Sequence, residues 1–243
     1  MTKRLFLLCA VSALFVGCVA GSQSVRPETL MPGQFRIGIV QGVTRNHADD
    51  FAFAEPTGET KKSPSPVWLT EIAAHYGVAR DFDVGLRLRP FSLGGRVELM
   101  YQVVREKTLG LGIAVGLGID GFYRSRDRLG CVAGGCFSRE YAGMVGDVPL
   151  ILSRHLWRRG VLFLAGRYNH YLIFGEERFA TPGLDDQVID KEINQWGAGW
   201  VVGLQFELRS VRIAPQLAGG LVRMPSGGLL HALYPSLDIA IVL

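Results

Sequence analysis

Residues 109–119, LGLGIAVGLGI, alternate without a break between large apolar and tiny side chains. Leu109, Leu111, Ile113, Val115, Leu117 and Ile119 fall on one side. Gly110, Gly112, Ala114, Gly116 and Gly118 fall on the other. A period of two sustained over this length predicts a strand with one continuous apolar face. About eleven residues at roughly 3.3 Å rise, tilted by about 40°, cross the ~25 Å apolar band of an outer-membrane barrel. Acyl chains are the simplest partner for such a face, because the chain offers little that could cover it as a second layer.

The same period returns along the chain. Residues 34–44 set Phe35, Ile37, Ile39 and Val43 against Arg36, Gly38 and Gly42. Residues 67–79 set Trp68, Ile72, Ala74, Tyr76 and Val78 against Glu71, Ala73 and His75. Residues 82–89 give the sharpest contrast, with Phe82, Val84, Leu86 and Leu88 opposing Asp83, Gly85, Arg87 and Arg89. Further strands are predicted at 95–104, 141–153, 161–173, 195–208, 211–221 and 232–242, with Pro149 and Pro215 weakening two of them. Together with 109–119 this makes an all-β, closed antiparallel transmembrane barrel of about ten strands, with eight as the alternative.

The connections alternate in length, as the short periplasmic turns and longer outer loops of such barrels do. Residues 45–66, 123–140 and 174–194 read as the long polar loops. Aromatic residues gather near strand ends: Phe35, Tyr76, Phe82, Tyr101 and Phe206 at one side, Trp68, Phe91, Phe122, Phe174 and Trp196 at the other. Two interfacial girdles are the expectation.

Composition agrees with this reading. Hydrophobic residues make up 48% of the 243-residue chain, too dilute for a helical membrane protein, and the 31 glycines are numerous. A net charge of +4, scattered rather than clustered, gives no nucleic-acid footprint.

The first residues read as a targeting segment. Lys3 and Arg4 precede an apolar run from Leu5 to Val16 that is too short to span a bilayer as a helix. Leu14-Phe15-Val16-Gly17-Cys18 then resembles the bacterial lipoprotein signal. The expectation is a signal peptide over 1–18 with Cys18 as the lipid attachment site, a periplasmic tether over 19–33, and the barrel over 34–243. Ordinary cleavage near Ala20 is the rival reading. Cys131 and Cys136 remain in the exported chain, and their spacing in a polar stretch suggests a local disulfide. Free thiols are the alternative. A metal reading of this pair lacks further ligands nearby.

The segment Tyr76-Gly77-Val78-Ala79-Arg80-Asp81-Phe82-Asp83-Val84-Gly85 is similar to the strand-turn-strand pattern of small bacterial outer-membrane β-barrel proteins. The resemblance covers roughly residues 33–243 and is architectural. It implies a location in the outer membrane of a Gram-negative-type cell, with membrane lipid as partner and an external ligand met through the long loops. The chain departs from that group at its end, Ile241-Val242-Leu243, where such barrels carry an aromatic residue.

Candidate chemistry is sparse. Gly110-x-Gly112-x-x-x-Gly116 has the wrong spacing for a dinucleotide fingerprint, and no metalloprotease motif or nucleophile elbow occurs. No cofactor or metal is expected. The inward positions Arg36, Glu71, Asp83, Arg87, Arg96, Glu98, Arg167, Glu207, Arg212 and Asp238 predict a lumen plugged by interlocked charges. His75, Arg89, Asp120 and Asp147 share those faces. A narrow charged pore is the alternative. His47, Asp49, Asp50, His170, Asp185, Asp186 and His231 are weak candidates for a hydrolase or acyltransferase site at the outer rim, since an Asp–His pair activates water. Surface proteases of the omptin type are similar in being ten-stranded barrels. The expected role is structural or surface interaction rather than catalysis.

Overall fold

Each alternating segment pairs with the next, and the last returns to the first. The computed structural model describes residues 24–44, 67–90, 93–132, 135–180, 187–223 and 229–243. Its strands are β1 (Phe35–Thr44), β2 (Val67–Ala79), β3 (Phe82–Leu88), β4 (Gly94–Val104), β5 (Gly112–Val132), β6 (Gly135–Trp157), β7 (Gly160–Ala180), β8 (Gln187–Leu208), β9 (Val211–Arg223) and β10 (Leu229–Val242). All neighbours are antiparallel, and β1 pairs with both β2 and β10, which closes a ten-stranded barrel. Closure removes the free edge that an open sheet would expose.

The period-two pattern sorts the side chains as expected. Ile37, Ile39, Ile72, Leu86, Val97, Leu117, Ile119, Leu150, Leu164, Ile239 and Ile241 all project outward and stay exposed. Charged residues at the alternate positions are buried inside. Phe35, Tyr76 and Tyr101 form part of an exposed aromatic row at the short-turn end. Phe122 is a correction to the girdle reading: it points inward with Asp120 and is 8% exposed. Its even number puts it on the same face as Gly118 and Asp120, and strand parity overrides its place near a strand end.

The turns at one end are tight. Arg80-Asp81, Arg158-Arg159 and Arg209-Ser210 join β2–β3, β6–β7 and β8–β9. The β4–β5 turn holds a single helical turn, α1 (Glu106–Leu109), which Gly110 closes at φ 68°. The apolar strand therefore begins at Gly112, and Leu109 belongs to the turn instead.

The other end differs from the sequence reading. β5 to β8 have 21 to 23 residues, against 7 to 14 in the remaining strands. Residues 123–140 and 174–194, read as loops, largely continue these strands: the β6–β7 and β7–β8 ladders run on through pairs such as Glu140↔Glu176 and Glu176↔Asp190, and the β5–β6 ladder continues with a register shift between Arg126 and Gly130. The sequence of these extensions mixes polar residues into both alternate positions, which blurs the alternation that marks a half-buried strand.

Pro149 and Pro215 both lie within strands. Each spoils only one ladder. The β5–β6 register skips Gly116 and Leu117 opposite Pro149, while Pro149 still faces Arg167 of β7. The β8–β9 register skips Leu204 and Gln205 near Pro215, while Pro215 still faces Leu237 of β10. A proline lacks one N–H, so it removes rungs on one side only.

The largest departure concerns the segment before β1. Its described part, residues 24–33, is not a tether. Ser24, Val25, Arg26 and Leu30 are 1–5% exposed and lie inside the barrel. The chain enters at the short-turn end, where Gln34 donates to Met31 O at 3.0 Å and Gly33 (φ 80°) donates to Gly77 O at 2.8 Å. Gly77 donates back to Gln34 O at 2.9 Å. A Cβ on Gly77 would stand 2.0 Å from the Met31 carbonyl oxygen. Gly77→Ala is therefore expected to displace the entry turn while leaving the barrel folded. Limited digestion by a broad-specificity protease in detergent should then cut within residues 24–33. Unchanged resistance would show that this close approach does not hold the turn.

Candidate functional site

The lumen is filled in three layers, each set by what its wall residues supply. Nearest the short turns on the β5–β9 side, Ala114, Ile151, Phe163, Ala165, Val201 and Ala218 form an apolar wall with Met100 and Tyr234. At the far end Phe122, Tyr141, Val145, Tyr171, Ile173 and Ile193 make a second apolar cluster. Between them, and along the β1–β4 side, lies a belt of charge.

The belt is one connected chain of ion pairs. Asp120 pairs with Arg89, and Arg89 Nε lies 3.1 Å from Glu71. Glu71 is 3.8 Å from Arg87, which is 3.0 Å from Glu98. Glu98 is 3.1 Å from Arg96, Arg96 pairs with Asp147, and Asp147 is 2.7 Å from Arg167. His75 hydrogen-bonds Glu98 as well. Arg36 and Asp238 form a separate pair at 2.6 Å. Small residues leave room for these long side chains. A Cβ on Gly118 would lie 2.2 Å from Arg96 and 2.3 Å from Asp147, and one on Gly85 would meet the His75 ring at 2.2 Å.

Charge in this belt does not balance on the wall alone. Among the described residues of the belt, five buried wall arginines (36, 87, 89, 96 and 167) face six buried carboxylates (71, 83, 98, 120, 147 and 238); a further buried carboxylate, Glu177, lies outside the belt and accepts from the Tyr141 hydroxyl at 3.1 Å. The belt carboxylate left over is Asp83. Arg26 of the inserted segment supplies its partner, with Nη1 at 3.0 Å and Nη2 at 2.6 Å from the two Asp83 oxygens. The Leu30 N–H adds a third bond at 2.8 Å. No wall arginine bridges Asp83 among the described residues. Arg26 also lies 3.7 Å from Glu98, which ties the segment into the belt.

The rest of the segment matches the wall it touches. Val25 packs into the apolar wall on the β5–β9 side. A chain without secondary structure must still satisfy its backbone when buried. Gln216 accepts the Val25 N–H at 3.0 Å and donates to Ser24 Oγ and Val25 O, both at 3.1 Å. Gln102 accepts the Thr29 N–H at 3.3 Å. The space left between Ser24, Arg26, Arg87, Arg96 and Glu98 is about 20 Å³, room for roughly one water.

At the rim Glu28 of the segment meets Glu106 of α1 and His155 of β6. His155 donates its backbone N–H to both Glu106 oxygens, at 2.8 and 2.9 Å. Burial pushes the Glu28 carboxyl up, helped by Glu207 and Glu106 and opposed by His155 and Arg212. Burial would also raise Glu106, but the His155 hydrogen bonds outweigh it and bring it down.

The sequence-derived candidates fall as follows. Arg36, Glu71, Asp83, Arg87, Arg96, Glu98, Arg167 and Asp238 line the lumen. Arg212 and Glu207, 3.1 Å apart, sit half-exposed near the short turns, outside the belt. His170 is on the outward face of β7, opposite Trp196, and so turns away from any enclosed cluster. His47, Asp49, Asp50, Asp185, Asp186 and Cys18 lie outside the described residues, as does the side chain of His231. Cys131 and Cys136 are register partners in the β5–β6 hairpin, with side chains outside the described set. Arg26, Gln102 and Gln216 were not among the sequence candidates. The signal that could have found Arg26 was the odd carboxylate among the inward charges.

Arg26→Ala strands Asp83 in the lumen without a cation. Removing one partner of a buried pair costs about 3–5 kcal/mol, which urea unfolding in micelles would register. Adding Asp83→Asn to Arg26→Ala should recover part of that loss. An Arg26→Ala barrel as stable as the parent would contradict the pairing.

No protein-family model matches the chain. A sequence search of curated proteins found no match. Among solved structures, the chain is similar to Ail, the attachment invasion locus protein of Yersinia pestis, at 10% identity over 88% of this chain and 100% of that one, with a TM-score of 0.33. It is also similar to the TodX deltaS2S3 mutant monoaromatic hydrocarbon channel, at 11% identity over 88% of this chain and 68% of that one, again with a TM-score of 0.33. A third similarity is to OmpT, an outer membrane protein of Vibrio cholerae, at 6% identity over 86% of this chain and 98% of that one, with a TM-score of 0.22.

Proposed function

We propose that this chain is an outer-membrane β-barrel whose lumen is kept shut by its own N-terminal segment. The observation that carries the reading is the inversion of the usual soluble arrangement. Exposed aliphatic residues surround the wall, and the ion pairs lie inside. Water would not tolerate an apolar patch of that extent on a monomer. A bilayer requires it, together with a closed hydrogen-bonded sheet.

Closure, rather than conduction, follows from the filling. The belt's spare carboxylate is neutralised by Arg26, Val25 occupies the apolar side, and about 20 Å³ remains beside them. The role that fits is structural or surface-interacting. The four tall strands β5 to β8 present their polar upper parts beyond the shorter wall.

The leader and the hairpin tip complete the proposal. Cys18 carries the lipid after processing at the lipoprotein-like signal. Intact mass of the membrane-extracted protein distinguishes a diacylated Cys18 terminus from cleavage near Ala20. Cys131 and Cys136 close a disulfide at the tip, which the same spectrum reads as a loss of two hydrogens.

Planar-bilayer recording tests the closure. The parent barrel is expected to stay silent, and deletion of residues 24–30 is expected to give discrete conductance steps. A parent that conducts steadily, or a folded deletion variant that stays silent, would overturn the plug.

A further inference from the structure

We propose that Glu28, Glu106 and His155 form a binding site for a divalent transition metal, with Zn²⁺ as the best-suited ion. The site would staple the inserted segment to the barrel rim. Three separate pieces of chain supply the donors: the segment, α1 and the end of β6. One ligand atom from each lies within 4.8 Å of the others.

The geometry is close to what zinc needs. His155 Nδ1 is 3.9 Å from Glu28 Oε1 and 2.5 Å from Glu106 Oε2. Two ligands at 2.0–2.1 Å from a tetrahedral centre stand about 3.3 Å apart. Shifts of less than about 1 Å in each of these two separations would reach that spacing. The Glu106 carboxylate is already oriented by the His155 backbone N–H; its Oε1 keeps a lone pair, and at Oε2 an ion would replace the proton shared with His155 Nδ1.

Donor chemistry narrows the ion. Two carboxylates with one imidazole suit Zn²⁺ better than Mg²⁺ or Ca²⁺, which take oxygen ligands. The side chains of His155 and Glu28 are 38% and 33% exposed, which leaves a fourth position open to water. Two carboxylates drawn to one imidazole also repel each other, and a dication between them removes that repulsion. Nothing in the sequence marks the site, because its residues are separated by 78 and 49 positions.

Metal binding itself depends only on the three side chains. Its consequence for the segment rests on the plug reading above. The experiment uses the full chain folded in detergent, stripped with a chelator and titrated by calorimetry with Zn²⁺ alone, with Mg²⁺ as control. One Zn²⁺ per chain is expected, with affinity weakened at least tenfold in both Glu28→Gln and His155→Asn. Circular dichroism and heat-modifiable migration show that each variant is folded. Zn²⁺ should also slow proteolysis of the segment in the parent but not in Glu28→Gln.

Three results would overturn the site. Zn²⁺ binding no different from Mg²⁺ would do so. So would parent-like affinity in both variants, which would place the metal elsewhere. Loss in His155→Asn with parent-like affinity in Glu28→Gln would leave a rim site that does not hold the segment. Failure of the plug reading shows separately, in the bilayer conductance of the deletion variant.

Discussion

A buried charge must find its opposite, and in this barrel the requirement reaches beyond the wall. Ten strands turn their apolar sides outward, which leaves the charged sides enclosed. In the belt of charge, five described wall arginines meet six carboxylates, and the excess sits at Asp83. Burying an unpaired carboxylate is far costlier than burying a paired one. Arg26 supplies the missing cation with two hydrogen bonds, and Leu30 adds a backbone donor. The segment is thus a component of the interior rather than an appendage to it.

Packing and electrostatics reinforce each other along that segment. Val25 and Arg26 are consecutive, and in an extended chain consecutive side chains point apart. The lumen is lopsided in the same sense, with apolar residues toward β5–β9 and charge toward β1–β4. Two adjacent residues of opposite character therefore bridge the two walls. Gln216 and Gln102 then satisfy backbone groups that a strand would have paired through a ladder.

Most of the barrel could be read from alternation. Where one face meets apolar surroundings and the other a polar interior, as at Phe82–Leu88, hydropathy reports the pleat directly. Ten strands, their inward charges and the tight turns at Arg80-Asp81 and Arg209-Ser210 were legible for that reason. The upper hairpins were not, because both faces of Tyr123–Glu140 and Phe174–Asn194 carry polar residues and resemble loops. Phe122 was misplaced by reading position before parity. The inserted segment was hidden by Pro27 and Pro32, which look like a linker when nothing shows the lumen beside them. The Glu28, Glu106 and His155 grouping depends on three elements meeting at one rim, which no local pattern encodes.

The pairing of β1 with β10 has a consequence for the order of assembly. The first and last strands of the chain share a ladder, with partners such as Arg36↔Val242 and Ile39↔Ile239. Contacts so distant in sequence are slow to form, so the cylinder stays open until the whole chain is present. Ser24 to Leu30 directly precede the strand that waits longest for its second neighbour. The growing sheet can therefore wrap around them, and no finished ring has to be threaded.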